Sequence, residues 1–397
     1  MDARKVCVVG LGYIGLPTAS LLATKGHTVL GVDIDPHVVS TINQGDIHIV
    51  EPDLDLLVRS AVGSGKLSAA TTPGPADVFI LAVPTPFGSG HQPDLSYVIA
   101  ATEAIAPHVQ SGDLVILEST SPVGTTEQVA ATLYARRPEL EGHVHLAHCP
   151  ERVLPGHILR ELVENDRVVG GLDPASTTAA VAFYRGFVNG EVIATDARSA
   201  ELTKLVENSY RDVNIAFANE LSMICGELDI DVREVISMAN RHPRVNILSP
   251  GPGVGGHCIA VDPWFIVSSA PETARLIRTS REVNTRKAEW VIEQVHRAAA
   301  GLSNPKVACL GLAYKPDIDD LRESPALHIT KRLRESYEVL AVDPHVQRFD
   351  AFPLTPLDQA LAEADLIVVL VAHKAFKRVP RERFAGKPIL DTCGALT

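Results

Sequence analysis

Residues 5–33 contain a glycine-rich turn between two apolar runs, and this combination is compatible with few protein folds. An apolar run leads into Gly10-x-Gly12-x-x-Gly15, a stretch with helical character follows, and a second apolar run ends at Asp33. The order is strand, glycine turn, helix, strand and acid, and the acid lies 18 residues after the last glycine. This order and spacing predict the first βαβ unit of a doubly wound parallel sheet that binds a dinucleotide.

The three glycines and the acid of this unit have separate predicted roles. Gly10 permits the tight turn, Gly12 lets a pyrophosphate approach the backbone, and Gly15 allows the helix to pack closely on the strand. The helix N-terminus then faces the phosphates. Asp33 is expected to accept hydrogen bonds from ribose hydroxyls, and its charge repels a 2′-phosphate, so the unit favours NAD over NADP. The alternative is a plain turn followed by a surface aspartate.

Polar residues stand at the ends of the next two apolar runs. Residues 76–86 end in Pro-Thr-Pro, which contains Thr85, and residues 113–120 end with Glu118 and Thr120 among their last three residues. Ligands of doubly wound sheets gather at the carboxyl ends of the strands, so these side chains are candidate ligand contacts. The alternative for each is a helix cap or a turn residue.

A different pattern occupies residues 196–240, where helical periodicity continues and neither Pro nor Gly occurs before Gly226. It predicts a helix of about 30 residues that links two domains. From about residue 304 the α/β pattern returns, and SYEVLAVDPH and ADLIVVLVAH resemble the earlier TVLGVDIDP and ADVFILAVPTP. This partial repeat predicts a second sheet of the same type. It lacks the GxGxxG turn and is expected to bind a different nucleotide group.

Composition excludes several classes of function. The 397 residues carry a formal net charge of −12, which argues against affinity for nucleic acid or for an anionic membrane surface. No apolar run reaches the roughly 18 residues that a membrane span needs, and no signal peptide is expected. The six cysteines form no CxxC pair, so neither a disulfide framework nor a zinc site is predicted. We expect a soluble cytoplasmic protein.

A glycine-rich bend precedes one of the six cysteines. Residues 251–265 read GPGVGGHCIAVDPWF, with four glycines within six residues, then Cys258, and Asp262 four residues later. Glycine lets a backbone turn sharply and lie close to a ligand, so a thiol at the edge of the bend suits a binding site. The alternative is a tight turn before a buried strand, with Cys258 as a small core residue.

Three further polar residues are candidates for chemistry. Lys204 and Asn208 are spaced i, i+4, so they share one face of the predicted long helix. They are candidate donors to a developing oxyanion, and the alternative is a lysine that extends to solvent beside a solvated asparagine. Glu151 lies between two prolines in HCPERVLPG (148–156) and is a candidate general base acting on water. Its alternative is a solvated loop side chain.

Basic residues surround these motifs in the sequence. Arg241 and Arg244 precede the glycine bend, and Lys315 and Arg322 lie within KPDIDDLRESPAL (315–327). Such side chains suit the recognition of phosphate or carboxylate groups. The alternative for each is an ordinary surface charge.

Six motifs follow one another along nearly the whole chain: the glycine turn at 10–15, STSPVGTT, CPERVLPG, ExxKxxxN, GPGVGGHCIAVDP and GLAYKPDIDDLRESPAL. In this order they resemble the UDP-glucose/GDP-mannose dehydrogenase family of nucleotide-sugar 6-dehydrogenases. NRHPRVNI and GPGVGGHCIAVDPWFIV are most similar to the branch that acts on UDP-N-acetylmannosamine. The UDP-glucose branch has Phe-Pro-Lys-Asp after the cysteine, whereas this chain has Ile259-Ala260-Val261-Asp262, which favours a 2-acetamido sugar.

The resemblance implies an α/β fold of two Rossmann-like doubly wound domains joined by a long central helix and a helical dimerisation region. The expected division is an N-terminal NAD-binding domain at 1–195, a central helical domain with dimerisation and active-site residues at 196–300, and a UDP-sugar-binding domain at 301–397. A homodimer is implied, because Arg244 resembles the arginine that reaches into the neighbouring subunit's site.

The resemblance also implies a four-electron oxidation of a UDP-sugar. Hydride transfer to NAD⁺ turns the C6 hydroxyl into an aldehyde, the Cys258 thiolate adds to it, and a second hydride transfer leaves a thioester. Water, helped by Glu151, then releases the uronate. Lys204 and Asn208 stabilise the negative oxygen at C6 in each step.

The predicted site residues form three sets. The catalytic residues are Cys258, Lys204, Asn208, Asp262, Glu151 and Thr120, of which Asp262 and Thr120 orient a water or the hydroxyl proton. The cofactor-binding residues are Gly10, Gly12, Tyr13, Ile14, Gly15, Asp33, Thr85, Thr120 and Arg322. The substrate-binding residues are Arg152, Val153, Lys204, Asn208, Arg244, Gly255 and Lys315. NAD is the expected cofactor, and no metal is expected.

Two other functions stay open at this point. A two-electron β-hydroxyacid dehydrogenase also joins a dinucleotide domain to a helical one and uses Lys and Asn on a helix, but it gives Cys258 no role. A non-catalytic nucleotide-sugar sensor would retain the fold without the reaction. Within the first function, UDP-N-acetylglucosamine and UDP-glucose are the alternative substrates.

Overall fold

The computed structural model describes residues 3–154, 156–256 and 258–396. Pro155 and His257, which belong to two of the motifs above, and the outermost residues of the two terminal predicted domains lie outside the described residues. The chain divides into two compact units. Unit 1 comprises the described residues within 1–206 and 264–269, and unit 2 comprises those within 207–263 and 270–397. The finer division into three domains stays a prediction.

The described part of unit 1 is built on eight strands: β1 (Lys5–Val9), β2 (Thr28–Val32), β3 (Leu67–Ala70), β4 (Val78–Leu81), β5 (Leu114–Leu117), β6 (His145–His148), β7 (Arg167–Gly171) and β8 (Val192–Asp196). They form one sheet in the order β3-β2-β1-β4-β5-β6-β7-β8. Neighbouring strands are parallel except for β6 and β7. The order reverses direction at β1, as in a doubly wound sheet, so the predicted fold class is confirmed.

Helices connect these strands: α1 (Gly15–Thr24), α2 (Pro36–Asn43), α3 (Leu54–Gly63), α4 (Ser96–Ile105), α5 (Thr125–Arg136), α6 (Ile158–Glu164) and α7 (Pro174–Tyr184). Alternate residues of β1 belong to different hydrophobic clusters. Val6 and Val8 pack in one cluster, and Cys7 and Val9 pack in the other. Both faces of the sheet are therefore buried, which explains why its strands read as continuous apolar runs.

Two of these strands are shorter than their apolar runs. β4 ends at Leu81, before Pro84, which has no backbone N–H to donate to a neighbouring strand. β5 ends at Leu117, after which Glu118 N and Ser119 N both donate to Leu81 O at 2.9 and 3.2 Å. The polar residues at 85 and 118–120 consequently follow the strand ends, as the sequence predicts.

The predicted long helix is α8 (Ala197–Glu227), with 31 residues. The division between the two units falls inside it, between residues 206 and 207. A separate helix, α9 (Val232–Ala239), follows after Asp231, whose side chain caps α9 by accepting from Arg233 N. Gly226 lies in the last turn of α8, where a Cβ would come within 2.9 Å of the Trp290 ring, so the ring packs directly on the helix backbone and a side chain here would displace it.

Unit 2 contains a second sheet, formed by β9 (Lys306–Leu310), β10 (Glu338–Val342), β11 (Leu366–Val369) and β12 (Ile389–Asp391). The strands are parallel in the order β10-β9-β11-β12. The remaining helices are α10 (Asp262–Ser269), which crosses the division between the units, α11 (Arg275–Ala299), α12 (Pro325–Leu333), α13 (Leu357–Glu363) and α14 (Lys374–Lys377). The predicted second sheet is confirmed.

The internal repeat extends to backbone hydrogen bonds. In the first sheet Gly10 N donates to Val32 O at 2.8 Å, and in the second Gly311 N donates to Val342 O at 2.7 Å. Both glycines have positive φ, 92° and 99°. Each sheet therefore leaves its first strand through a turn that needs the conformational freedom of glycine.

An acid follows the next strand in both sheets, and in the second sheet it is Asp343. Its carboxylate accepts from the backbone N–H groups of Leu312, Ala313, His345 and Val346 and lies 3.2 Å from His373 Nε2. Burial opposes the charge of this group, but hydrogen bonds from His373 and from the backbone outweigh it and lower the pKa of Asp343 to about 2. Asp343 is thus an ionised internal anchor of the second sheet.

Candidate functional site

The glycine turn of unit 1 has the geometry that a dinucleotide needs. A Cβ on Gly15 would lie 1.8 Å from Gly10 O, and one on Gly10 would lie 2.5 Å from Ala82 O, so both positions exclude a side chain. Gly12 is different, because a Cβ there would meet nothing within 4 Å. The open space beside Gly12 lets a pyrophosphate approach the backbone, as the sequence predicts. Tyr13 next to it is exposed.

Asp33 closes the same turn from the end of β2. Its Oδ2 accepts from Leu11 N at 3.1 Å, and its Oδ1 accepts from Asp35 N at 3.0 Å. A carboxylate offers about four acceptor sites, so Asp33 keeps capacity for ribose hydroxyls after these two bonds. The residues of this turn therefore fit NAD, and the half-buried Ile14 completes the predicted cofactor segment.

Thr85 and Thr120 come together at the ends of β4 and β5. Thr85 Oγ1 donates to Thr120 O at 2.5 Å, and Ser119 Oγ donates to Val83 O at 2.7 Å nearby. These bonds join two loops that lie 35 residues apart in sequence. Both threonines lie at the carboxyl edge of the sheet, where ligands of this fold gather, and their catalytic and cofactor roles stay predictions.

Glu151 is buried and ion-paired rather than solvated. Its Oε2 accepts from Arg167 Nη1 at 2.7 Å, and its Oε1 accepts from Arg152 N at 2.7 Å. The Arg152 guanidinium in turn donates to Asp166 O, and Val153 packs against the core of unit 1. The solvated-loop alternative for Glu151 is wrong, because an acid is buried here only with its charge compensated.

Sequence reasoning missed the partners of Glu151. Arg167 begins β7, and the Tyr184 hydroxyl of α7 donates to Glu118 Oε1 at 2.6 Å. Burial raises the pKa of Glu118 to about 7. The positive charge of Arg167 lowers this pKa, and the negative charge of Glu151 raises it. The buried Arg167 guanidinium thus donates a hydrogen bond to Glu151 and attracts the charge of Glu118. Glu118 keeps its proton up to about neutral pH. The available signal was an arginine at the start of the apolar run RVVGG.

The glycine bend of unit 2 lies against the segment that follows β9. Gly256 N donates to Arg322 O at 3.1 Å. A Cβ on Gly255 would lie 2.4 Å from Glu323 O, and one on Gly256 would lie 2.8 Å from the Tyr314 ring. The predicted glycines are therefore needed for a close backbone approach. The substrate-binding role of Gly255 stays a prediction.

Cys258 follows this bend and is half-buried. Its carbonyl oxygen accepts from Val261 N at 2.9 Å and from Asp262 N at 2.8 Å, and α10 then begins at Asp262. The alternative of a turn before a buried strand is wrong, since a helix follows.

Asn208 and Asp262 meet within unit 2. Asn208 Nδ2 donates to Asp262 Oδ2 at 2.5 Å, across 54 residues of sequence, and Asp262 is buried. Lys204 is half-buried one turn earlier on α8, so it shares a helix face with Asn208. The Asn208 amide and the Asp262 carboxylate therefore form a hydrogen-bonded pair, and Asp262 lies four residues after Cys258 in sequence. Such a pair can orient a proton or a water.

The predicted basic residues lie nearer the surface. Arg244 is exposed, and the Arg322 side chain pairs with Asp320, with Nη2 2.6 Å from Oδ2. Lys315 Nζ lies 5.8 Å from the centre of the Tyr314 ring, within cation–π range. Their roles toward NAD or substrate stay predictions.

One group of potential metal ligands occurs in the described residues. Ligand atoms of Asp317, His345 and His373 lie within 4.8 Å of one another. However, His373 Nδ1 accepts from Asp317 N at 2.9 Å, its Nε2 lies 3.2 Å from Asp343 Oδ2, and Lys374 Nζ lies 3.3 Å from Asp317 Oδ2. Since these polar atoms already have protein partners, the group does not suggest a metal centre.

Within the described residues, no helix combines the length and apolar composition that a bilayer-spanning segment requires.

Comparison with known proteins agrees with this geometry. The NAD-binding, central and UDP-binding domains of the UDP-glucose/GDP-mannose dehydrogenase family match residues 4–188, 198–286 and 308–397. The chain belongs to this family. This dehydrogenase therefore uses NAD, and its first glycine turn lies inside the matched NAD-binding domain. Its Cys258 and the Asn208–Asp262 pair lie inside the matched central domain.

Relatives carry two different names. The dehydrogenase is 57% identical to the NDP-N-acetyl-D-galactosaminuronic acid dehydrogenase of Ralstonia nicotianae, over 99% of this chain and 96% of the relative. It is 53% identical to the UDP-N-acetyl-D-mannosamine dehydrogenase of Salmonella typhi, over 99% of both chains. The structure of a UDP-D-ManNAc dehydrogenase from Pyrococcus horikoshii superposes with a TM-score of 0.91 at 40% identity, covering 99% of this chain and 96% of that one. Together with the matched NAD-binding and UDP-binding domains, these relatives show that this chain is an NAD-dependent UDP-sugar dehydrogenase.

Proposed function

We propose that this dehydrogenase oxidises C6 of a UDP-N-acetylhexosamine, with UDP-N-acetylmannosamine as the main substrate, to the uronate in a four-electron reaction. The observation that carries the proposal is the position of Cys258. It is half-buried at the end of a backbone bend made tight by glycine, four residues before the buried carboxylate of Asp262. A cysteine at such a bend can accept a substrate carbon, which a core cysteine cannot.

The proposed chemistry requires a nucleophile, an oxyanion donor and a base. Each of two NAD⁺ molecules accepts one hydride from C6. Between the two transfers the Cys258 thiolate adds to the aldehyde carbon, and water later displaces it from the thioester. Lys204 and Asn208 are assigned to the oxygen on C6, where negative charge develops. Asp262, which accepts a hydrogen bond from Asn208, is proposed to orient the proton of the C6 hydroxyl.

Glu151 is assigned to the water that releases the uronate. The Arg167 ion pair and the Arg152 N–H orient its two oxygens. A carboxylate offers about four acceptor sites, so Glu151 keeps capacity for a water after these two bonds. Glu118, with a pKa of about 7 beside the same guanidinium, can share Arg167 when it ionises.

The choice of sugar rests on the residues after Cys258 and on the relatives. Ile259-Ala260-Val261 occupies the place of the run that contains lysine in the UDP-glucose branch, and Val261 N is bonded to Cys258 O. An apolar run here suits the methyl of an acetamido group better than a free hydroxyl. UDP-N-acetylgalactosamine is the second candidate, because the Ralstonia relative is named for the galactosaminuronic acid.

A coupled assay tests the reaction and the sugar together. The substrates are UDP-N-acetylmannosamine, UDP-N-acetylgalactosamine, UDP-N-acetylglucosamine and UDP-glucose, each with excess NAD⁺. We expect two NADH per sugar and a kcat/KM for UDP-N-acetylmannosamine at least about tenfold above the others, a difference of about 1.4 kcal/mol. One NADH per sugar would favour the two-electron alternative, and no NADH with any sugar would favour the sensor.

A homodimer is also proposed, with Arg244 reaching the neighbouring site. Helix α8 exposes Tyr210, Phe217 and Ile224, whose spacing of 7 and 7 places them within about 40° on one face of the helix. Exposed apolar side chains in one stripe indicate a surface that another chain covers. Sedimentation equilibrium should give twice the chain mass, and Phe217→Asp should shift the protein toward monomer. A monomeric wild type would contradict this arrangement.

A further inference from the structure

A buried chain of side-chain hydrogen bonds in unit 2 ends on the glycine bend. Asn219 Oδ1 accepts from Gly251 N at 2.9 Å, and Asn219 Nδ2 donates to Asn284 Oδ1 at 2.9 Å. Asn284 Nδ2 donates to Asp212 Oδ1 at 2.8 Å, where Arg281 Nη1 also donates at 2.7 Å. All four side chains are buried, with Asn219 and Asp212 fully so. None of the site residues predicted from the sequence takes part in this series of hydrogen bonds.

The direction of these bonds is fixed by chemistry. A backbone N–H can only donate, so Asn219 must turn its oxygen to Gly251 and its NH₂ to Asn284. Asn284 must then present its oxygen to Asn219 and its NH₂ to the Asp212 carboxylate. Because each amide has one acceptor end and one donor end, flipping either amide would break at least two bonds. The chain of contacts therefore has a single satisfied arrangement, which is a rigid one.

The same residues also contact the bend sterically. Gly253 lies against the backbone of Asn284, where a Cβ would come within 3.0 Å of Asn284 O. Gly256, at the far end of the bend, is held by Arg322 O. The bend is thus fixed at its start by α8 and α11 and at its end by the segment after β9. A segment with four glycines loses more conformational entropy on ordering than other sequences, so such anchors decide how well it is placed.

We propose that Asn219 is a positioning residue for Cys258, acting through the N–H of Gly251 at the start of the glycine bend. This role rests on the proposed function, in which Cys258 is the nucleophile. Without Asn219 Oδ1, the N–H of the half-buried Gly251 loses its hydrogen-bond partner, and the bend relaxes toward conformations that solvate it. The thiol then samples positions away from the productive one, and misplacement by about 1 Å can cost about 100-fold in rate.

The test compares Asn219→Ala with Ser222→Ala. Ser222 is also buried on α8, one turn later, where it accepts from the buried Lys287 amine at 2.7 Å and donates to the Asn219 backbone oxygen at 2.6 Å. Its loss therefore destabilises the same helix but leaves the hydrogen bond from Gly251 N to the Asn219 side chain in place. Three quantities are measured: kcat for uronate formation, Kd for NAD⁺, and the rate at which iodoacetamide alkylates the peptide that carries Cys258. For Asn219→Ala we expect kcat lower by about 10- to 100-fold, a changed alkylation rate and an unchanged Kd.

Ser222→Ala is expected to lose a similar amount of thermal stability and to keep kcat within about twofold. Equal losses of kcat in both variants, or a normal kcat in Asn219→Ala, would overturn the proposal. If Asn219→Ala does not fold, Asn219→Asp keeps the oxygen that Gly251 needs and, as the protonated acid, a donor for Asn284 Oδ1. Its alkylation rate should remain close to that of wild type, and a changed rate would overturn the proposal. The alkylation rate does not depend on the reaction, so a failure of the proposed function, seen as full activity without Cys258, remains distinguishable.

Discussion

Replacing Cys258 with alanine is expected to lower the rate of uronate formation by about 10³-fold or more, because removal of a covalent nucleophile costs that much in other enzymes. The Kd for NAD⁺ should change by less than about twofold, since the glycine turn that fits NAD lies in unit 1. Uronate is measured by mass spectrometry, and NAD⁺ affinity by calorimetry. In wild type, rapid quenching during turnover should trap the sugar on the Cys258 peptide.

Cys393→Ala is the matched control for this variant. Cys393 is the other half-buried cysteine in unit 2, and its thiol contacts Val369 O at 3.9 Å within the second sheet. It should retain its activity, which separates the loss of one particular thiol from the loss of any accessible thiol. Uronate formation at the normal rate in Cys258→Ala would refute covalent catalysis.

The second large effect is expected for Gly15→Ala. The new Cβ would lie 1.8 Å from Gly10 O, a backbone atom that cannot move without opening the turn between β1 and α1. Overpacking of this kind should cost about 3 kcal/mol or more, which corresponds to a fall in Tm of roughly 6–12 °C for a unit of this size. NAD⁺ binding should be lost. Differential scanning calorimetry and a binding titration measure the two effects.

Gly12→Ala provides a contrast three residues away. A Cβ there meets nothing within 4 Å, so we expect a Tm within about 2 °C of wild type. The same methyl would occupy the space through which the pyrophosphate approaches, so the Kd for NAD⁺ should rise by about tenfold or more. Unchanged affinity in Gly12→Ala would mean that the pyrophosphate lies elsewhere, and a stable Gly15→Ala would contradict the tight turn.

Local patterns made much of the fold predictable. The turn at Gly10–Gly15 has a fixed relation to the strands on either side, and β1 and β2 appear where the apolar runs place them. The length of α8 followed from the absence of Pro and Gly before Gly226. The second sheet was predictable because its runs repeat those of the first. In each case the decisive interactions are between residues close in sequence or set by the period of one element.

The partners of the site residues were not predictable for the opposite reason. Glu151 pairs with an arginine 16 residues later, and Asn208 bonds to Asp262 across 54 residues. Asn219 reaches a glycine 32 residues away. Such contacts depend on how elements pack, which the spacing of residues along one element does not encode. A single sequence therefore identified Glu151 as a candidate general base without showing that it is buried.

The acid anchor in the second sheet limits how that sheet can recognise a nucleotide. Asp343 receives four N–H groups and faces an imidazole, whereas a carboxylate has room for about four donors. It is saturated and has no lone pair left for a sugar diol. The equivalent Asp33 accepts two N–H groups and retains vacancies. The two sheets share an architecture but not a binding specificity. We therefore expect a nucleotide at the second sheet to be recognised through atoms other than the ribose hydroxyls that Asp33 is predicted to bind.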